Sequence, residues 1–126
     1  MLATLKLKNL IDGKEFGEIS EVYANNLPKE VQENTDKTIV LLRESGAFLD
    51  MFGNDSFFGK TNQIEVQIFY KLDIDFDLEE FETRLMKSLV SEHYKITDVR
   101  EHTLDPDTLQ MTVVFYVAHE NLLKGE

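Results

Sequence analysis

The sequence predicts an α+β domain: a mostly antiparallel sheet of about four to five strands, two helices, and a protruding loop or hairpin arm. Three stretches carry that prediction. Residues 63–71 alternate with period two, which puts Ile64, Val66, Ile68 and Tyr70 on one face. Glu65, Gln67 and Lys71 take the other face, with Phe69 as its apolar exception. Leu78, Phe81, Leu85 and Leu89 recur at three- and four-residue spacing, an amphipathic helix whose stripe Met86 and Val90 widen. Leu109, Met111, Val113, Phe115 and Val117 alternate again in a closing strand. At 126 residues the chain is read as a single domain, 1–126.

Residues 2–11 mix two periods. Leu5 and Leu7 alternate with Lys6 and Lys8 as in a strand, whereas Leu7, Leu10 and Ile11 follow helical spacing. Good helix formers dominate and Asp12-Gly13 supplies a stop, so a helix is expected there. Ile19, Val22 and Tyr23 predict a short strand closed by Asn25-Asn26-Leu27-Pro28, since proline has no N–H for a ladder. Residues 29–36 are polar and expected to loop. Residues 38–44 are β-branched and apolar on both faces, the pattern of a central strand.

The stretch 45–60 carries glycines at 46, 53 and 59 among aromatics, so it is a long connection or a projecting hairpin arm, spanning about 45–62. Asp77 is placed to cap the following helix, with Glu80 three residues on as in a capping box. Glu80 and Arg84 form an i,i+4 pair in the favourable orientation. Residues 94–102 and 109–118 are the two closing strands, joined by a turn at Leu104-Asp105-Pro106-Asp107. The tail, 120–126, is expected to fray.

Composition excludes several functions. There is no cysteine, which removes disulfides, thiolate zinc sites and thiol nucleophiles together. The formal charge is −11, from 24 acidic against 13 basic residues, and no basic run exists. Such a surface repels phosphate backbones, so no specific nucleic-acid binding is expected. Apolar runs such as Ile39-Val40-Leu41-Leu42 are far shorter than the ~20 residues of a spanning helix, so no membrane is expected either. Lys6 and Lys8 interrupt any signal-peptide core, which points to an intracellular chain.

Motifs for chemistry fail one by one. Asp73, Asp75 and Asp77 imitate the start of a calcium loop, but the turn glycine is replaced by Leu78 and the bidentate acid by Arg84. Acids at a helix start need no metal, because they complement its dipole. His93, His102 and His119 lack metal-ligand spacing and read as surface or cap residues. No serine sits in a nucleophile elbow, and the glycines at 46, 53 and 59 are too widely spaced to cradle a phosphate. Asn54-Asp55-Ser56 fits a glycosylation acceptor only in a secreted protein. No catalytic residue, cofactor or metal is therefore expected.

The functional cue is of another kind. Phe48, Met51, Phe52, Phe57 and Phe58 lie among Gly, Asn, Asp and Ser. Either the segment folds back and these rings join the core, or they form a subunit interface, where aromatics and methionine are over-represented.

Four segments carry a family resemblance: Asn25-Asn26-Leu27-Pro28, Thr35-Asp36-Lys37-Thr38-Ile39-Val40-Leu41-Leu42, Gln67-Ile68-Phe69-Tyr70-Lys71 and His102-Thr103-Leu104-Asp105-Pro106-Asp107-Thr108-Leu109-Gln110-Met111-Thr112. Together they resemble a family of small tail-morphogenesis proteins, formerly of unknown function, from siphophages and prophages of Gram-positive bacteria. The last segment is the most specific, and the resemblance spans nearly the whole chain. The family's usual place beside the major tail protein implies a tail terminator. Such proteins have a helix, several strands with a protruding arm, a second helix and two closing strands.

The resemblance implies a structural virion protein at the tail–neck junction, present in the host cytoplasm during assembly. It would form a hexameric ring that caps the tail tube, stops its polymerisation and docks to the head–tail connector. The implied partners are further copies of the chain, the major tail tube protein and the connector protein. A neck or head–tail connector protein is the alternative within assembly. A small enzyme or metal-dependent regulator is the alternative outside it, and would show strongly shifted titratable groups in a concave pocket.

Overall fold

One face of the central strands carries the core, and the order of elements follows from covering that face. The computed structural model describes residues 1–53 and 56–122, with side chains described for 1–47 and 60–119. The elements are α1 (Ala3–Lys14), β1 (Glu21–Ala24), α2 (Lys29–Gln32), β2 (Ile39–Gly53), β3 (Ser56–Phe69), α3 (Leu78–Ser91), β4 (Lys95–Val99), β5 (Thr103–Leu104) and β6 (Met111–Leu122). Among the described residues they form one six-stranded sheet, in the order β1-β2-β3-β6-β4, with β5 also paired to β6. β1 runs parallel to β2, and the other pairings are antiparallel. The α+β class and mostly antiparallel sheet are as the sequence predicts, with one more strand and one more helix.

The alternation of β3 decides the sidedness. Ile64, Val66, Ile68 and Tyr70 are fully buried in a single cluster with Val40 and Leu42 of β2 and Val113, Phe115 and Val117 of β6. Leu7 and Ile11 of α1 close this face from one side, and Phe81, Leu85 and Leu89 of α3 from the other. Each such side chain contributes roughly 1.5–3 kcal/mol by leaving water. Phe16, Phe76, Tyr70 and Phe81 stack edge-on or tilted, with Phe76–Phe81 centroids 5.6 Å apart. The α3 stripe is therefore as expected, except that Val90 lies exposed at its margin.

The Asp77 cap forms: its side chain accepts the Glu80 N–H at 3.2 Å. α1 does not stop at Asp12-Gly13 but runs on to Lys14, and Glu15 takes the left-handed conformation instead. Glycine inside a helix costs only about 1 kcal/mol, which tertiary contacts override. Here Lys14 pairs with Glu92 at 2.8 Å and Phe16 packs on Phe81.

Other boundaries also shift. Residues 29–36 are not wholly looped, because Pro28 opens the single helical turn of α2. The stretch 94–102 divides into β4, which ends at Val99, and β5, which resumes at Thr103. β6 begins at Met111, because Leu109 adopts φ 64° as the chain leaves the Asp105 turn. That turn is held by Asp105, whose carboxylate accepts the Asp107 N–H at 2.8 Å. β6 then runs to Leu122, so the first three residues of the stretch expected to fray are paired with β3, and 123–126 lie outside the described residues.

A buried polar pair within this core is joined from the surface by a histidine. Glu82 lies on the core side of α3, and its Oε2 accepts from the Tyr70 hydroxyl at 2.5 Å. His102 Nε2 meets the same oxygen at 2.7 Å. Burial, and then the Glu82 carboxylate, push the Tyr70 hydroxyl far above its ordinary pKa, so it remains a donor. Gln110 closes the end of β3 by donating to the Tyr70 carbonyl at 3.2 Å.

Two substitutions test these supports. Asp77→Ala should destabilise the domain by about 1 kcal/mol through the lost cap. Glu82→Ala should cost about 3 kcal/mol by stranding the buried Tyr70 hydroxyl, while the double change Tyr70→Phe with Glu82→Leu should recover most of that loss. Urea denaturation midpoints at neutral pH measure both.

Candidate functional site

β2 and β3 continue well beyond the body of the sheet. β1 pairs with β2 only over Glu21–Ala24, opposite Ile39 to Leu42. Past that point β2 stays paired with β3 through Phe52↔Phe57 and Gly53↔Ser56. β6 follows β3 outward as far as Leu122↔Gly59. The segment 45–60 is thus a hairpin arm, backed by a third strand along most of its length. At its base the β2–β3 register shifts between Glu44 and Gly46, and Gly46 has φ 145°. A β-bulge of this kind re-aims the strand, and glycine alone reaches that φ without strain.

The five predicted interface residues all lie on this arm. Phe48, Met51 and Phe52 are on β2, and Phe57 and Phe58 on β3. Their side chains lie outside the described residues, so the choice between core and interface rests on position alone. That position is a paired ribbon that continues past the last residue β1 reaches, not an irregular loop.

The sheet's second face carries another concavity. Ile39 and Leu41 of β2 are buried, yet they stand apart from the core cluster because alternation turns them to the opposite face. With Phe69 they line a groove of about 440 Å³. The connection from β1 to β2 walls it on one side through Leu27 and Val31, and the turn before β6 on the other through Asp105 and Asp107. Arg43 lies toward the arm, exposed and without an ion pair among the described residues. Elsewhere on this face the charges pair off: Lys37 with Glu21 at 3.3 Å, and Arg100 with Asp98 at 2.9 Å. The Tyr23 hydroxyl, and then Lys37, hold the Glu21 carboxyl below the usual range.

Exposed apolar side chains gather at the two ends of the body. Leu72, Leu104 and Leu109 lie at the end away from the arm, since Leu104 pairs with Met111 and Met111 lies beside Tyr70. Leu2 and Leu5 lie on the outward stripe of α1, 51% and 40% exposed. Among the described residues no group of three or more His, Asp or Glu is placed to hold a metal ion. No described helix is long and apolar enough to cross a membrane.

Sequence reasoning treated all three histidines as surface or cap residues. His93 does follow the end of α3, at φ 73°, and His119 stacks on Tyr94 at 4.5 Å between centroids. His102 is exposed as expected, and its Nε2 also reaches the buried Glu82. A signal for that contact was available: Leu78, Glu82, Leu85 and Leu89 share helical spacing, so Glu82 falls within the apolar stripe. Tyr70 at a core position also demanded a partner for its hydroxyl.

These features define an α+β domain with one mixed sheet, one helix-covered face and a projecting β-arm. Over residues 2–121 the chain matches the family described as "Protein of unknown function (DUF806)", and it belongs to that family. No curated protein matches the chain.

The covered face owes part of its stability at neutral pH to one guanidinium. Arg84 donates to Glu18 and, at 3.0 Å, to Glu80, and lies 5.7 Å from the Phe16 ring. The hydrogen bond from Arg84 is the main cause holding the Glu18 carboxyl below its ordinary value of 4.5. A depressed folded pKa adds stability that is present above the unfolded value and lost as pH falls through the folded one. Arg84→Met should therefore lower the thermal midpoint at about pH 6–7, and the difference should shrink as pH falls below the ordinary carboxylate value of 4.5. Thermal melts across that range measure it.

Proposed function

We propose that this chain is a structural tail terminator of a long-tailed phage or prophage, forming a ring that caps the tail tube, stops its growth and docks to the head–tail connector. The observation that carries the reading is the hairpin arm, a β2–β3 ribbon that β6 backs as far as Gly59 and that carries Phe48, Met51, Phe52, Phe57 and Phe58. An isolated domain gains little from such a ribbon. A protomer in a ring gains a contact with its neighbour or with the tube. Four sequence segments resembling tail-morphogenesis proteins support the same reading.

Ring closure requires each protomer to offer two different, complementary patches, related by a rotation that returns to its start. The arm supplies one such element, and its aromatic tip has the composition of an interface centre. The net charge of −11 keeps copies apart until specific contacts form. It also lets DNA pass a ring lumen without adhering, because like charges repel. On this reading the partners are further copies of the chain, the tube protein and the connector, and no catalysis is involved.

Electron microscopy of tubes polymerised from the tail protein tests it. With the chain present, tubes should stop at capped ends, and deleting residues 47–59 should restore uncontrolled growth. Tubes that elongate equally with and without the chain would overturn the terminator reading. Head attachment without any effect on length would mark a neck connector instead.

A further inference from the structure

We propose that the groove on the second face of the sheet receives the first turn of α1 from another copy of this chain, so that the contact repeats head-to-tail around the assembly. The proposal rests on the ring reading above and names its interface. Its two halves are built on opposite sides of one protomer. α1 covers the core face, with Thr4, Leu7 and Ile11 turned inward. Leu2, Leu5 and Lys6 fall on the opposite stripe, spaced three and four residues apart, and are exposed. The groove, floored by Ile39, Leu41 and Phe69, lies on the face that neither α1 nor α3 covers.

The chemistry of the two halves matches. The outward stripe of α1 offers two leucines and a lysine that makes no ion pair among the described residues. The groove offers an apolar floor between Glu33 on one wall and Asp105 and Asp107 on the other, with Arg43 at its end toward the arm, so three acids face one cation. None of these three carboxylates has a cationic partner among the described residues. Leucines seated on the floor would leave water, while Lys6 meets the acidic rim and fixes orientation. In a chain this acidic, a second copy must approach through a patch where one side is positive.

The geometry also selects the symmetry. A stripe on one face docking into a groove on the other cannot satisfy itself in a two-fold pair. Each copy gives its stripe to one neighbour and its groove to the next, the heterologous arrangement that forms a ring when its rotation closes and a filament when it does not. A stable interface needs roughly 800 Å² per partner, about a tenth of this protein's 7822 Å² surface. The stripe and groove therefore act as the anchor of a broader contact.

Because the chain has no cysteine, the contact can be trapped with two introduced ones. Leu5→Cys and Asp107→Cys variants of the full chain, both at exposed positions, are mixed and oxidised with copper phenanthroline. Circular dichroism first confirms that each variant is folded. The expected result is a disulfide-linked mixed dimer at least tenfold above that from Val90→Cys with Asp107→Cys. Val90 is the right control, being exposed beside Lys87 on α3, another apolar and basic patch. Adding Lys6→Glu to the Leu5→Cys chain should cut the yield several-fold. Trapping of the Leu5 pair at or below the Val90 control, or insensitivity to Lys6→Glu, overturns the proposal. Rings seen by microscopy without Leu5–Asp107 trapping would leave the terminator reading standing and this interface refuted. Trapping without any effect on tube length would do the reverse.

Discussion

The register of β3 is the constraint on which the other elements depend. Ile64, Val66, Ile68 and Tyr70 must face the helices, and Val40↔Ile68 and Ile68↔Val113 tie that choice to both neighbouring strands. A slip of one residue would send Glu65 and Gln67 into the core and four large apolar groups into water. With the register held, α1 and α3 have a continuous surface to cover. Tyr70 then emerges at the strand's end beneath Glu82, among the described residues the one buried carboxylate. The same alternation leaves Ile39, Leu41 and Phe69 on the far side, which is why the second face has an apolar floor at all.

Charge shapes what this domain can do with its surfaces. A net charge of −11 on a protein this small opposes self-association at long range. At physiological ionic strength that repulsion decays over about 8 Å, so it governs approach more than final contact. The association proposed above would then come from short-range fits, with apolar groups and isolated cations placed where they meet acids. Arg43 and Lys6 are such cations, whereas Lys37, Arg84 and Arg100 are consumed by ion pairs within the protomer.

Much of this architecture is legible in the sequence. β3, α3 and β6 declare themselves because their apolar periods are long and unbroken, and Asp77 marks its helix start through local chemistry. The hairpin arm was legible as one of two options, from glycines and aromatics outside any period. What stayed hidden arises from contacts distant in sequence. The four-residue α2 is too short to show periodicity, and the parallel pairing of β1 with β2 depends on a crossover that no local pattern encodes. α1 overruns Gly13 because Phe16 and Lys14 find partners on α3. The groove could not be read at all, since its floor and walls come from residues near 27–31, 39–43, 69 and 105–107, brought together only by the sheet. Of the predicted interface residues, the arm that holds them was visible and the disposition of their rings was not.

The bulge at Gly46 gives the arm a pivot. From there to Gly53 the ribbon reaches roughly 25 Å at the usual rise per strand residue. Over that lever, a change of about 10° in local twist at the bulge swings the tip by some 4 Å, enough to miss a neighbouring pocket altogether. A side chain at position 46 would meet no steric clash, since nothing lies within 4 Å of an added Cβ, yet it would resist the φ of 145° that sets the angle. The smallest residue in the protein thus determines where its longest extension points.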